Sequence, residues 1–89
     1  MSVSREVEIT NRRGLHARAS AKFVTLASGL PIEVRVTRGG STVTGTSIMG
    51  LMMLGAAKGD TITISAQGDN AAQVVDTMCA LVEEKFGED

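Results

Sequence analysis

Tryptophan and tyrosine are absent from this sequence, and phenylalanine occurs only twice. A single-stranded nucleic-acid platform is built on stacking aromatics, and a net charge of −1 offers no general attraction for a phosphate backbone. Nucleic acid is therefore excluded as a partner. The same shortage leaves little with which to line a deep ligand pocket. The single cysteine, Cys79, rules out an internal disulfide and a zinc knuckle. Its place in an apolar helical pattern makes it core filler. One histidine cannot assemble a metal centre by itself, so no metal or other cofactor is expected. Neither an acid pair nor a Ser-His-Asp set is evident, which argues against a hydrolytic enzyme, and no GK[ST] loop offers a nucleotide site. No segment approaches the roughly 20 apolar residues that span a bilayer, and no apolar signal region opens the chain. The expectation is a cytoplasmic protein with no membrane partner.

What is there suits one domain over residues 1–89, with 43% apolar residues to fill a thin core. Val3, Arg5, Val7 and Ile9 alternate with polar neighbours, a period of two that predicts a first strand. An "NRRG" turn follows. From Ala17 to Ser28 the pattern is helical, with Ala19, Phe23, Leu26 and Ala27 on one face. Gly29 is expected as the left-handed residue after that helix, and Pro31 prevents its continuation. "IEVRVT" at 32–37 and "STVT" at 41–44 read as strands joined by a Gly39-Gly40 hairpin turn. "SIMGLMMLG" reads as a short helix capped by Thr46 or Ser47. "TITISA" is a fourth strand, and Asp69 or Asn70 caps a last helix that Phe86 closes. The order β-α-β-β-α-β-α, with strands apolar on one face only, predicts an α+β two-layer open-faced sandwich.

The charge is uneven. Residues 11–22 hold Arg12, Arg13, Arg18 and Lys22 and no acid, a local +4 that leaves −5 for the rest. The sole histidine, His16, lies inside this basic window, near the cap of the first helix. The backbone N–H groups of Ala17, Arg18 and Ala19 lack intrahelical acceptors there and favour an anion, as does the helix dipole. A guanidinium at Arg18 suits phosphate oxygens. A phosphoryl group on the imidazole would meet ready-made donors without being trapped.

"GLHARAS", followed some thirty residues later by "SIMGLMMLGAAKG", resembles the HPr phosphocarrier family of the phosphoenolpyruvate-dependent phosphotransferase system. The "VEITN" opening and "FGED" ending resemble its nitrogen-related branch. The resemblance implies that His16 accepts a phosphoryl group on Nδ1 from phosphorylated enzyme I and passes it to enzyme IIA-type domains. Arg18 would stabilise the anion, and an HPr kinase/phosphorylase would modify Ser47. The resemblance further implies a four-stranded antiparallel sheet in order 1-4-2-3 with three helices on one face. Such a carrier is a substrate of its partners rather than an enzyme, serves sugar transport or nitrogen regulation, and is expected to be a monomer. The family usually has proline where this chain has Ala19, which should loosen the first helical turn slightly.

Ser47 also reads simply as a helix cap. Ile48, Leu51 and Met52 are expected to face the core. Met49 and Met53 then project outward as an adaptable apolar docking patch, extended by Leu15 and Leu54, with Arg13 beside Arg18 drawing an acidic partner. A non-catalytic regulatory module that binds proteins is the main rival. It would use the same patch but would need neither His16 nor Arg18. A small-ligand sensor is a weaker rival, since little is left for a pocket.

Overall fold

A computed structural model describes residues 1–88. The strands are β1 (Ser2–Glu8), β2 (Val34–Arg38), β3 (Ser41–Thr44) and β4 (Thr61–Gln67), and the helices are α1 (Ala17–Ser28), α2 (Ile48–Met53) and α3 (Ala71–Glu83), in the order β1-α1-β2-β3-α2-β4-α3. The strands form one antiparallel sheet in the order β1-β4-β2-β3. Register is set across the middle of the sheet: Val7 lies opposite Ile62, while Val36 lies between Ile64 of β4 and Val43 of β3. All of these apolar side chains therefore fall on one face, as the period of two requires.

The helices cover that face. Val34, Val36, Ile62, Ile64 and Ala66 from the sheet meet Phe23 of α1, Leu51 of α2, and Val74, Val75, Met78, Cys79 and Val82 of α3. Phe23 and Phe86 are the largest fully buried side chains. Each contributes roughly 1.5–3 kcal/mol through burial. Arg5 falls on the covered side at its rim, where it pairs with Asp76 at 2.6 Å and Glu83 at 3.7 Å. Burial pushes the Cys79 thiol above its ordinary range, as expected of core filler.

Three local expectations are corrected. The second strand starts at Val34 rather than Ile32, because its partner runs out: Val34 pairs with Ala66, and β4 ends one residue later. Gly29 is right-handed, at φ −88° and ψ 0°. The helix ends instead by tightening, with Gly29 N–H donating to Leu26 O and Leu30 N–H to Ala27 O. Asn70 stands at the cap position of α3, but its side chain makes no capping hydrogen bond.

Candidate functional site

The turn before α1 is built around Gly14. Its φ of +64° is left-handed, and a Cβ there would lie 2.4 Å from Ala56 O and 2.8 Å from Ala57 Cα. Leu15 N–H donates to the same Ala56 carbonyl at 3.0 Å. The loop after α2 therefore fixes the chain two residues ahead of the histidine. Asn11, wholly buried, donates from Nδ2 to Gly14 O at 2.8 Å and closes the turn from inside.

His16 then stands as the N-cap of α1, with extended backbone. Its carbonyl receives the first helical hydrogen bond, from Ser20 N–H. Its Nδ1 accepts from Arg18 N–H at 3.2 Å. Its Nε2 lies 2.6 Å from Oε2 of Glu88, and only 14% of the side chain is exposed. Glu88 comes from the other end of the chain and is held by Asn11 Nδ2, which donates to Oε1 at 3.0 Å. Burial alone would push the Glu88 carboxyl up. Hydrogen bonds from Asn11 and His16, with the electrostatic pull of His16 and then of Lys22, outweigh that and hold it below the usual range.

Around this pair, Arg12, Arg13 and Arg18 line an open cleft of about 310 Å³ with His16 and Glu88. Among the described residues, none of these three guanidiniums forms an ion pair. The fourth basic residue of the window, Lys22, is directed elsewhere and donates to Phe86 O at 2.8 Å. Ala17 and Arg18 are exposed at the helix opening, whereas Ala19 is fully enclosed in the core. The described residues contain no cluster of three or more His, Cys, Asp or Glu side chains able to hold a metal ion, and no helix is long and apolar enough to cross a membrane.

Residues 3–84 match the family of the phosphotransferase-system HPr component phosphorylation site. The chain belongs to the HPr family. The phosphocarrier protein HPr of Neisseria meningitidis is 46% identical over 86 residues, covering 97% of each chain. The phosphocarrier protein NPr of Shewanella violacea is 41% identical over 86 residues, covering 97% of this chain and 94% of its own. The crystal structure of HPr from Thermoanaerobacter tengcongensis superposes with a TM-score of 0.90 at 38% identity, covering 98% of each chain. The chain is thus a phosphocarrier of the phosphotransferase system, and its sheet order and helical layer are those of an HPr.

In this phosphocarrier Ser47, not Thr46, caps α2, and its Oγ accepts from Gly50 N–H at 2.9 Å. The exposed apolar surface differs from the docking patch expected. Leu15 and Leu54 are buried, at 5% and 6% exposure, and extend no surface. Ile48 and Met52 do not face the core but stand 40% and 41% exposed, beside Met49 at 70% and Met53 at 80%. The reason is geometric. A six-residue helix has room to bury one edge, and that edge is centred between Leu51 and Leu54, three residues apart. Ile48 and Met52 fall on its flank. The outcome is an apolar surface confined to α2, made of four neighbouring side chains.

Glu88 and Asn11 are the two site residues that the sequence reading missed. Asn11 read as an ordinary turn residue, and only its burial reveals its role. Glu88 lies 72 positions from His16, with no periodicity linking them.

Proposed function

We propose that His16 is the phosphoryl acceptor of this phosphocarrier, reacting through Nδ1. The observation that carries this reading is the hydrogen bond from Arg18 N–H to Nδ1. A backbone amide can only donate, so Nδ1 must hold a lone pair. That lone pair sits at the opening of α1, where a phosphoryl group would meet the amides of Ala17, Arg18 and Ala19 and the favourable end of the helix dipole. Arg18, Arg12 and Arg13 line the cleft beside this position with guanidiniums suited to phosphate oxygens, none of them in an ion pair among the described residues. A charge-assisted hydrogen bond contributes about 1.5–3 kcal/mol. A few of these orient the group while leaving it transferable. The cleft is open, which suits a group that must be received from one protein and surrendered to another.

Enzyme I supplies the phosphoryl group and enzyme IIA-type domains receive it, both docking on the apolar face of α2 with Arg13 and Arg18 alongside. The chain acts in the cytoplasm. Ser47 is a regulatory site for an HPr kinase/phosphorylase, since a phosphate there would put close to two negative charges beside the docking face.

Incubation with enzyme I and radiolabelled phosphoenolpyruvate tests the acceptor. Label that is acid-labile and alkali-stable, and absent from His16→Ala, is the expected result. Label retained by His16→Ala would sink the proposal.

A further inference from the structure

The approach of Glu88 to His16 is not a passive contact of a trailing chain end. Lys85, Phe86 and Gly87 are three consecutive residues at positive φ, at 59°, 55° and 76°. For lysine and phenylalanine this conformation is strained, because the Cβ crowds the following carbonyl. Specific contacts hold it. The Phe86 ring is buried, Lys22 Nζ donates to the Phe86 carbonyl, and Glu88 N–H donates to Lys85 O at 2.8 Å. The hook turns the chain back so that the Glu88 carboxylate reaches the ring.

Asn11 completes the hold at a visible cost. Gly14 O and the Glu88 carboxylate can only accept, so both must face the amide nitrogen of Asn11. Its Oδ1 is left buried with no partner among the described residues. A buried unsatisfied oxygen is destabilising, because it has given up its water without a replacement donor. Strain in the hook and an orphaned oxygen beneath it therefore converge on one outcome, the placement of a carboxylate on Nε2.

We propose that Glu88 is a positioning residue for His16: its carboxylate binds the Nε2 proton and so fixes the ring in the tautomer and orientation that present the Nδ1 lone pair to the donor. An ionised carboxylate can only accept, so Nε2 must carry the proton. This agrees with the separate demand made on Nδ1 by Arg18 N–H. In the transfer step the Nδ1 lone pair forms the new bond to phosphorus while the bond to the phosphorylated donor enzyme breaks, its electron pair leaving with the donor. Nε2 keeps its proton throughout. The positive charge that the ring acquires faces Glu88, which lies 2.6 Å away. No proton has to enter or leave, and the reverse sequence releases the group to the acceptor. This inference rests on His16 being the phosphoryl acceptor.

Two variants test it, Glu88→Ala and Glu88→Gln, each checked for an unchanged circular dichroism spectrum. The first readout is the Nε2 proton in ¹⁵N-labelled protein. In wild type it should resonate far downfield and be protected from exchange. It should vanish in Glu88→Ala and move upfield in Glu88→Gln. The second readout is the initial rate of labelling from enzyme I and phosphoenolpyruvate. A loss of about tenfold is expected for Glu88→Ala, the scale of one charge-assisted hydrogen bond, with Glu88→Gln between it and wild type. An unaltered Nε2 proton in Glu88→Ala, or a labelling rate equal to or above wild type, would overturn the proposal, the faster rate marking Glu88 as a lid. Wild-type protein that takes no label would overturn the acceptor reading instead, and the ring proton would still show whether Glu88 holds His16.

Discussion

Gly14 sits directly against the carbonyl of Ala56, so the two motifs that carry the family resemblance meet in space just ahead of the His16 ring. The same carbonyl accepts Leu15 N–H, which joins the "GLH" turn to the loop after α2 by both shape and hydrogen bonding. A side chain at position 14 would be opposed twice, by the left-handed backbone and by occupied space. Gly14→Ala is expected to destabilise the fold by about 2–4 kcal/mol, read from urea unfolding. It should also slow His16 labelling in whatever fraction stays folded. A fully stable Gly14→Ala would show that this junction is looser than described.

Ser47 separates capping from charge. Ser47→Ala removes the acceptor for Gly50 N–H and should cost about 1 kcal/mol. Ser47→Asp keeps a good capping oxygen at the positive end of the helix and should unfold close to wild type. It nevertheless places a negative charge beside the apolar face of α2, and His16 labelling from enzyme I should slow several-fold if partners dock there. Equal labelling rates for wild type and Ser47→Asp would remove charge repulsion as the basis of control.

The apolar face of α2 should contribute to docking and not to folding. Met49 and Met53 are the most exposed of its side chains, so Met49→Ser with Met53→Ser should change unfolding free energy by no more than about 0.5 kcal/mol. The KM of enzyme I for the variant should rise about tenfold, equivalent to roughly 1.4 kcal/mol of lost contact. An unchanged KM would move the docking surface elsewhere.

Acid should release the hook. The Glu88 carboxyl is held below its unfolded-chain value, so its charge stabilises the fold fully above the ordinary carboxylate range. That stabilisation fades as pH falls through the lower folded-state value, where both forms become protonated. The stability difference between wild type and Glu88→Gln should therefore be present at pH 6 and shrink below about pH 4.5. A difference that grows as the solution becomes more acidic would mean that the protonated carboxyl, not the carboxylate, stabilises the fold. Urea midpoints across this range provide the measurement.

Much of this fold could be read from local signals. Alternation in "IEVRVT" and "TITISA", the Gly39-Gly40 turn and the spacing of Val74, Val75, Met78 and Val82 each report the face a residue shows to a core. The strand order did not come from such signals, since alternation says which face is covered and not which strands adjoin. It came from the resemblance. His16 at the head of a helix was legible because capping is a matter of neighbours. The surface of α2 was misjudged because periodicity gives an apolar direction without saying how wide a face so short a helix can bury. Leu54, near its end, took the place assigned to Ile48 and Met52. The clasp on His16 was illegible for a stronger reason. Only Gly87 of its three left-handed residues advertises that conformation, and Lys85 and Phe86 adopt it because the buried Phe86 ring and the amine of Lys22 hold them there.

The enclosure of Cys79 has a practical side. Fully shielded, and with its thiol pushed toward the protonated form, it offers almost no thiolate to an alkylating reagent. A cysteine introduced on the uncovered side of the sheet, at Thr63 for instance, would become the single site for a maleimide dye, and the hand-over of phosphate between partners could then be followed by fluorescence without first deleting the native sulfur.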